Sequence, residues 1–218
     1  MRMRIGLGAA LALMPLLAPA PALAQVTWDV TGVAGLFAGH TPLPDGPGYR
    51  DEWFQAFQAG VAAGRYLTRH LKLELEAAAT TAGSQYRESR LEVPGASSPI
   101  IIGSEVSRSV RSLAAAVVWQ FGDNDWVHPF VQAGMSVDFD RERVRTWDYP
   151  MVLDPRTPVS GRAQPRIEDR TTRHLRGVVG AGAKAYFSER GFVRADAKVA
   201  FDGTRQHLIL RGGIGVDF

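Results

Sequence analysis

Several short stretches carry acids and bases at alternate positions. Lys72, Glu74 and Glu76 lie in "HLKLELEAA", Asp138 and Asp140 in "MSVDFD", and Arg194, Asp196 and Lys198 in "FVRADAKVAF". Lys184 ends "GAGAK", and Arg211 and Asp217 punctuate "LRGGIGVDF". A spacing of two puts such residues on one face of a β-strand, and on no single face of a helix. With Asp29, Arg108 and Arg176 in the same register, seven acids stand against seven bases. A balanced set of this kind can close a space with ion pairs, or it can line a narrow watery passage. Ion pairing is the expectation, because an enclosed charge without a partner costs several kcal/mol.

Other candidate chemistry is weaker. The stretch "GAGAKA", Gly180 to Ala185, imitates a dinucleotide fingerprint, but that motif needs a helix after it, and here "YFSERGF" continues a strand and turns. The glycines are better explained as relief of crowding inside a sheet structure. His40, His70, His128, His174 and His207 have no metal-ligand spacing and are expected at solvated or interfacial positions. A hydrolase would need a nucleophile beside a base; His174 is the nearest base, yet no His-x-Ser pairing occurs. No enzymatic activity, cofactor or metal is therefore expected. A second set of arginines, Arg111, Arg141, Arg143, Arg145 and Arg173, falls in the opposite register, near one end of three neighbouring strands. Guanidinium groups clamp phosphates through paired N–H donors. This set is a candidate contact for lipopolysaccharide phosphates, or else a solvated group paired with Glu142.

The elements that must position these residues follow from the same alternation. Leu71, Leu73 and Leu75 oppose the first charged run; Val193, Ala195, Ala197, Val199 and Phe201 oppose the Arg194 run; Leu208, Leu210, Ile214, Val216 and Phe218 oppose Arg211 and Asp217. Val131, Ala133, Met135, Val137 and Phe139 form a fourth such face, and Val179, Ala181, Ala183, Ala185 and Phe187 a fifth. Three vaguer segments, about 26–39, 53–67 and 105–121, complete eight predicted strands. Short connections ("TRH", "GDNDW", "SERG") alternate with long ones near 40–52, 84–104 and 147–170; only "DGTR" is short on the long side.

Composition narrows the setting. The first residues give Arg2 and Arg4, an apolar run from Ile5 to about Leu17, and "ALA" before Gln25, the pattern of a secretory signal cut after Ala24. Residues 25–218 then form one domain. The chain has no cysteine, so neither a lipidated cysteine nor a disulfide framework is available. Removing two signal arginines takes the formal charge from +3 to +1, which gives no reason to expect nucleic acid. No later segment is apolar enough for a spanning helix.

Which face is enclosed decides between a soluble barrel and one in lipid. The charged face is interleaved with glycines and balanced in sign, which suits the narrow interior of an eight-stranded barrel. Strands of about ten residues, tilted, cross roughly 25 Å of hydrocarbon. Trp28, Tyr66, Trp119, Phe121, Trp126, Phe187, Phe192 and Phe218 fall at the short-turn end, and Phe37, Trp53, Phe57, Phe139, Trp147 and Phe201 at the long-loop end. Aromatic girdles at both interfaces have this distribution.

"HPFVQAG" after a short turn, the strand–turn–strand "GVAAGRYLTRHLKLELEA" and the last strand "GGIGVDF" resemble the small eight-stranded outer-membrane barrels, the OmpA transmembrane domain and OmpX group. The resemblance covers the whole mature chain and rests on pattern. It implies an all-β, antiparallel up-and-down barrel in the bacterial outer membrane. It implies a monomer surrounded by lipid, with Phe218 as the signal read by the barrel assembly machinery. With no residues after Phe218, the peptidoglycan-binding domain of OmpA itself is not expected. The function so implied is structural or surface-interacting through external loops, the alternatives being a small passive pore or a lipid A-modifying enzyme.

Overall fold

The structure is a computed structural model that describes residues 27–41, 52–91, 100–122, 126–150, 166–203 and 206–218. Residues 1–24, the predicted signal, and the tips of three predicted loops lie outside the described residues. Nine strands occur in chain order: β1 (Trp28–Thr41), β2 (Glu52–Tyr66), β3 (Leu71–Thr80), β4 (Gly83–Leu91), β5 (Ile100–Gln120), β6 (Val127–Pro150), β7 (Arg166–Tyr186), β8 (Gly191–Phe201) and β9 (Gln206–Asp217). Each pairs antiparallel with its neighbours, and β1–β9 and β3–β5 pairing closes the sheet on itself. The strand count departs from the predicted eight for a local reason. β3 and β4 together form one stave, interrupted at Thr81 and Ala82, where the Thr81 amide donates to the Phe57 carbonyl (2.7 Å) and its hydroxyl accepts from the Phe57 amide (3.1 Å). The barrel has eight staves.

Alternation puts the oily side chains outside. Leu75, Val117, Met135, Val179, Val199, Leu208, Leu210 and Ile214 are exposed on the outer wall, whereas Glu74, Lys198 and Arg211 are buried inside. A closed barrel leaves no unpaired backbone within that apolar belt, which is what a hydrocarbon environment demands. The turns at one end are tight and built alike. Thr68 Oγ1 accepts from the amides of His70 and Leu71, and Ser188 Oγ accepts from the Gly191 amide, so a hydroxyl at the turn's start satisfies donors that the ladder leaves over. Gly122 and Gly203 have φ of 80° and 90°, which glycine adopts without steric cost. Phe218 is part of the closure: its amide donates to the Trp28 carbonyl (2.9 Å), and its carbonyl accepts from the Thr27 and Trp28 amides.

Two predicted loops are strand over all their described residues. The segments expected as loops near 84–104 and 147–170 are paired through Leu91 with Ile100 and through Pro150 with Ile100, and β7 begins at Arg166. β6 spans 24 residues against 11 in β8. At roughly 3.3 Å per residue the additional length is roughly 40 Å along the strand. These segments escape a period-2 reading because both faces of the extension lie beyond the apolar belt, so neither face has to be oily.

Candidate functional site

The barrel interior is filled from the short-turn end by a continuous ionic network. Lys72 Nζ lies 2.8 Å from Asp29 Oδ2 and 2.8 Å from Glu74 Oε2. Lys184 Nζ lies 2.6 Å from Asp217 Oδ1 and 3.3 Å from Asp29, donates to the Tyr66 hydroxyl, and sits 3.6 Å from the centre of the Phe192 ring. Tyr186 donates its hydroxyl to Asp217. Further in, Arg194 grips Glu74 through two bonds (2.6 and 3.0 Å) and Asp196 through Nε (2.8 Å), with its guanidinium 4.7 Å over the Phe130 ring. Arg211 holds Asp196 (2.9 Å) and grips Glu76 (2.5 and 2.6 Å), and Lys198 completes the Glu76 carboxylate at 2.6 Å. Five bases and five acids thus form one chain of contacts with no net charge, and no member's side chain is more than 8% exposed.

Of the expected inward set, Asp29, Lys72, Glu74, Glu76, Lys184, Arg194, Asp196, Lys198, Arg211 and Asp217 are therefore brought together in this network. Asp138 is not in it. It lies in a separate cluster toward the long-strand end, bonded to Arg176 and 3.3 Å from His207 Nδ1. Arg176 is fully buried and also reaches Asp140 and Asp202, each at 3.4 Å. Phe37, Phe54, Val110 and Ile209 fill the other side of this end as an apolar cluster, with the His207 ring against Phe37. Close backbone approach explains "GAGAKA": a Cβ on Gly182 would meet the Ala195 carbonyl at 2.3 Å and the Phe130 ring at 2.6 Å. The glycine gives the lumen side chains their room, as no bulkier residue could.

Three aromatic assignments and one histidine assignment change. Phe37, Phe192 and Tyr66 point into the barrel rather than joining a girdle. Their register already puts them on the charged face: Tyr66 shares parity with Gly64 opposite Asp29, and Phe192 with Arg194. His207 is buried in the lumen, not solvated, for the same reason. The outer wall keeps Trp28, Trp119, Phe121, Trp126, Phe187 and Phe218 at one end and Trp53, Phe57, Phe139 and Phe201 at the other; the Trp147 side chain lies outside the described residues.

The five outward arginines are confirmed as outward and exposed, but their expected partner is not. Glu142 points inward to Arg108 (2.9 Å). Arg143 instead takes Asp169 through two bonds (2.7 and 3.0 Å), with Arg141 3.6 Å from the same carboxylate, and Arg145 lies 3.6 Å from Glu105. The hydrogen bonds from Arg143 hold the Asp169 carboxyl below its ordinary range. The pair is therefore intact above the ordinary carboxylate range, and is lost only as pH falls through the lowered value.

Residues 9–207 match the outer membrane protein beta-barrel domain family. The chain belongs to that family. Like its family, it is a protein of the bacterial outer membrane. Similar solved structures are Neisserial surface protein A (12% identity, 88% of this chain and 97% of that one, TM-score 0.53) and the N-terminal barrel domain of Pseudomonas aeruginosa OprF (15%, 87% and 97%, 0.45). Yersinia pestis Ail is a third (12%, 88% and 99%, 0.46). No curated protein is a significant match. The Neisserial likeness concerns the fold alone.

One arrangement in this outer-membrane barrel looks like a catalytic triad. His174 has Thr172 Oγ1 at 3.1 Å from Nε2 and Asp202 Oδ2 at 3.5 Å from Nδ1. However, Asp140 Oδ2 also faces Nε2 at 3.8 Å. Nε2 is thus shared between a hydroxyl and a carboxylate, whereas a triad aims that nitrogen at its nucleophile and keeps the carboxylate on the other one.

Proposed function

We propose that this barrel is a non-enzymatic, closed-lumen platform that presents an external sheet for contacts at the cell surface. The observation that carries the reading is the run of β4–β7 beyond the apolar belt as an open four-stranded sheet. Within the described residues β4 is paired only with β5, and β7 is paired with β8 only from Gly177 onward. The segment from Arg166 to Arg176 and the outer side of β4 beyond Gln85, whose side chain still reaches the Trp53 carbonyl of β2 (3.3 Å), are therefore strand edges carrying backbone donors and acceptors, which an extended segment of a partner can satisfy by adding a strand. The ten-charge network supports the closed lumen, since conduction would require breaking buried pairs.

The rival reading is a small pore. It draws on Gln132 and Ser136, whose buried polar atoms have no protein partner and suit isolated waters. Two measurements test the proposal. Single-channel recording in planar bilayers is expected to show no steady conductance, and a reproducible open level would overturn the closed lumen. Replacing residues 144–168 by an Asn-Gly turn, which suits a two-residue hairpin, leaves Arg143 opposite Asp169 as the last pair. That variant is expected to keep the heat-dependent gel shift of a folded barrel and to lose adhesion of expressing cells to protein-coated surfaces. Undiminished adhesion would overturn the platform reading.

A further inference from the structure

The outer wall of β5, β6 and β7 changes character between two adjacent rows. In the lower row, Leu113 pairs with Val137 and Val137 with Leu175; both leucines are more than half exposed and belong to the apolar belt. In the next row up, Arg111 pairs with Phe139 and Phe139 with Arg173. Above it, Ser109 pairs with Arg141 and Arg141 with Thr171. Two arginines therefore flank an outward phenyl ring where the hydrocarbon-facing surface ends, with a third arginine directly above that ring between two hydroxyls. The Arg173 guanidinium lies 5.9 Å over the Phe139 ring.

The remaining two arginines differ. Arg143 saturates Asp169, and Arg145 faces Glu105, one and two rows higher. Arg143 holds Asp169 bidentately and Arg141 makes a looser 3.6 Å ion pair to the same carboxylate, so two arginines share one negative charge. Neither Arg111 nor Arg173 has a carboxylate partner among the described residues. Among the described residues, five arginines against two carboxylates leave a surplus of three positive charges on this part of the wall. Strands spaced about 4.8 Å apart put Arg111 and Arg173 about 10 Å apart at the backbone, within reach of a common anion for side chains of this length. The opposite wall differs: β1, β8 and β9 present Ala38, Val199 and Leu208 in one row and His40 and Phe201 near it, with no outward lysine or arginine among the described residues there.

We propose that Arg111, Arg141 and Arg173 form a binding site for the phosphate of a lipid headgroup in the outer leaflet. The inference rests on the chain's lipid-embedded orientation, with β4–β7 projecting outward. Phe139, Leu113 and Leu175 meet the acyl chains while the three guanidiniums and the hydroxyls of Ser109 and Thr171 meet the phosphate. Continuity with the apolar belt is what selects a lipid, since a soluble anion would have no use for the oily row beneath. Arg65, against the Trp28 ring at the opposite end of the barrel, is not part of the site.

The full mature chain, refolded in neutral detergent micelles, is titrated with diphosphorylated lipid A, with the same lipid stripped of its phosphates, and with inorganic phosphate, adducts being counted by native mass spectrometry. The expected result is a lipid adduct that requires the phosphate. Binding is weakened about tenfold for each of Arg111→Gln, Arg141→Gln and Arg173→Gln, and is unchanged in Arg65→Gln. The folded state of each variant is checked by its gel shift before titration, and Arg→Lys at the same positions is expected to recover part of the affinity. Equal binding of the stripped lipid, full competition by inorganic phosphate at matching concentration, or an unaltered triple variant would each overturn the site. None of those outcomes bears on lumen closure, which conductance measures separately.

Discussion

The lumen and the outer wall of β5–β7 use the same side chains to opposite ends. Inside, Arg194 and Arg211 are each bonded to two carboxylates within 3 Å, and the ten members sum to zero charge. Outside, arginines outnumber carboxylates, and the tightest pair, Arg143 with Asp169, is open to water. The difference follows from solvation. In an enclosed space an unmatched charge has nothing to replace its hydration, so the sequence must supply a partner for every one. At the lipid–water boundary, water and headgroups do that work, so a surplus of one sign persists and is available for a ligand.

Substitutions sharpen this contrast in order of size. Glu74→Ala leaves Arg194 and Lys72 short of their shared carboxylate and is expected to destabilise the barrel by about 3–5 kcal/mol, measured by urea unfolding in detergent or lipid. Replacing both partners, Glu74→Leu with Arg194→Leu, is expected to recover much of that loss, because no charge is then left alone. A double variant no better than Glu74→Ala would show that the network specifies the packing rather than merely balancing itself. Arg143→Gln on the outer wall is expected to cost less than about 1 kcal/mol in the same assay. A loss comparable to Glu74→Ala would mean the extension is far less wet than its exposure says. Smallest of all, Gln132→Leu removes a buried amide without a protein partner and is expected to leave stability within about 1 kcal/mol of the parent, or to raise it. A large loss there would reveal that the amide holds water essential to the lumen.

How much of the fold is legible in the sequence depends on what period 2 measures. It separates two faces, so every member of the charged set and every outward arginine was assigned to the side on which the structure finds it. It failed where that contrast vanishes. Segments 100–104 and 147–150 show no alternation of oily and ionic residues and look like loops, yet continue as paired strands. It also misplaced residues judged by type rather than by register: Phe37, Phe192 and Tyr66 were put on a girdle because they are aromatic, although their parity pointed inward. Asp138 was grouped with Arg194 because both face the lumen, but height along the barrel separates them.

The residue order alone determined the strands, the oily and ionic faces, and the equality of opposite charges, because these are properties of spacing and count. Tertiary closure alone decided who meets whom. Glu74 and Arg194 are 120 positions apart on strands that are not neighbours in the wall, and Arg111 and Arg173 flank Phe139 only because the registers of β5, β6 and β7 align. Contacts across a barrel depend on stagger and tilt, which accumulate over all eight staves and are written in no single stretch of chain.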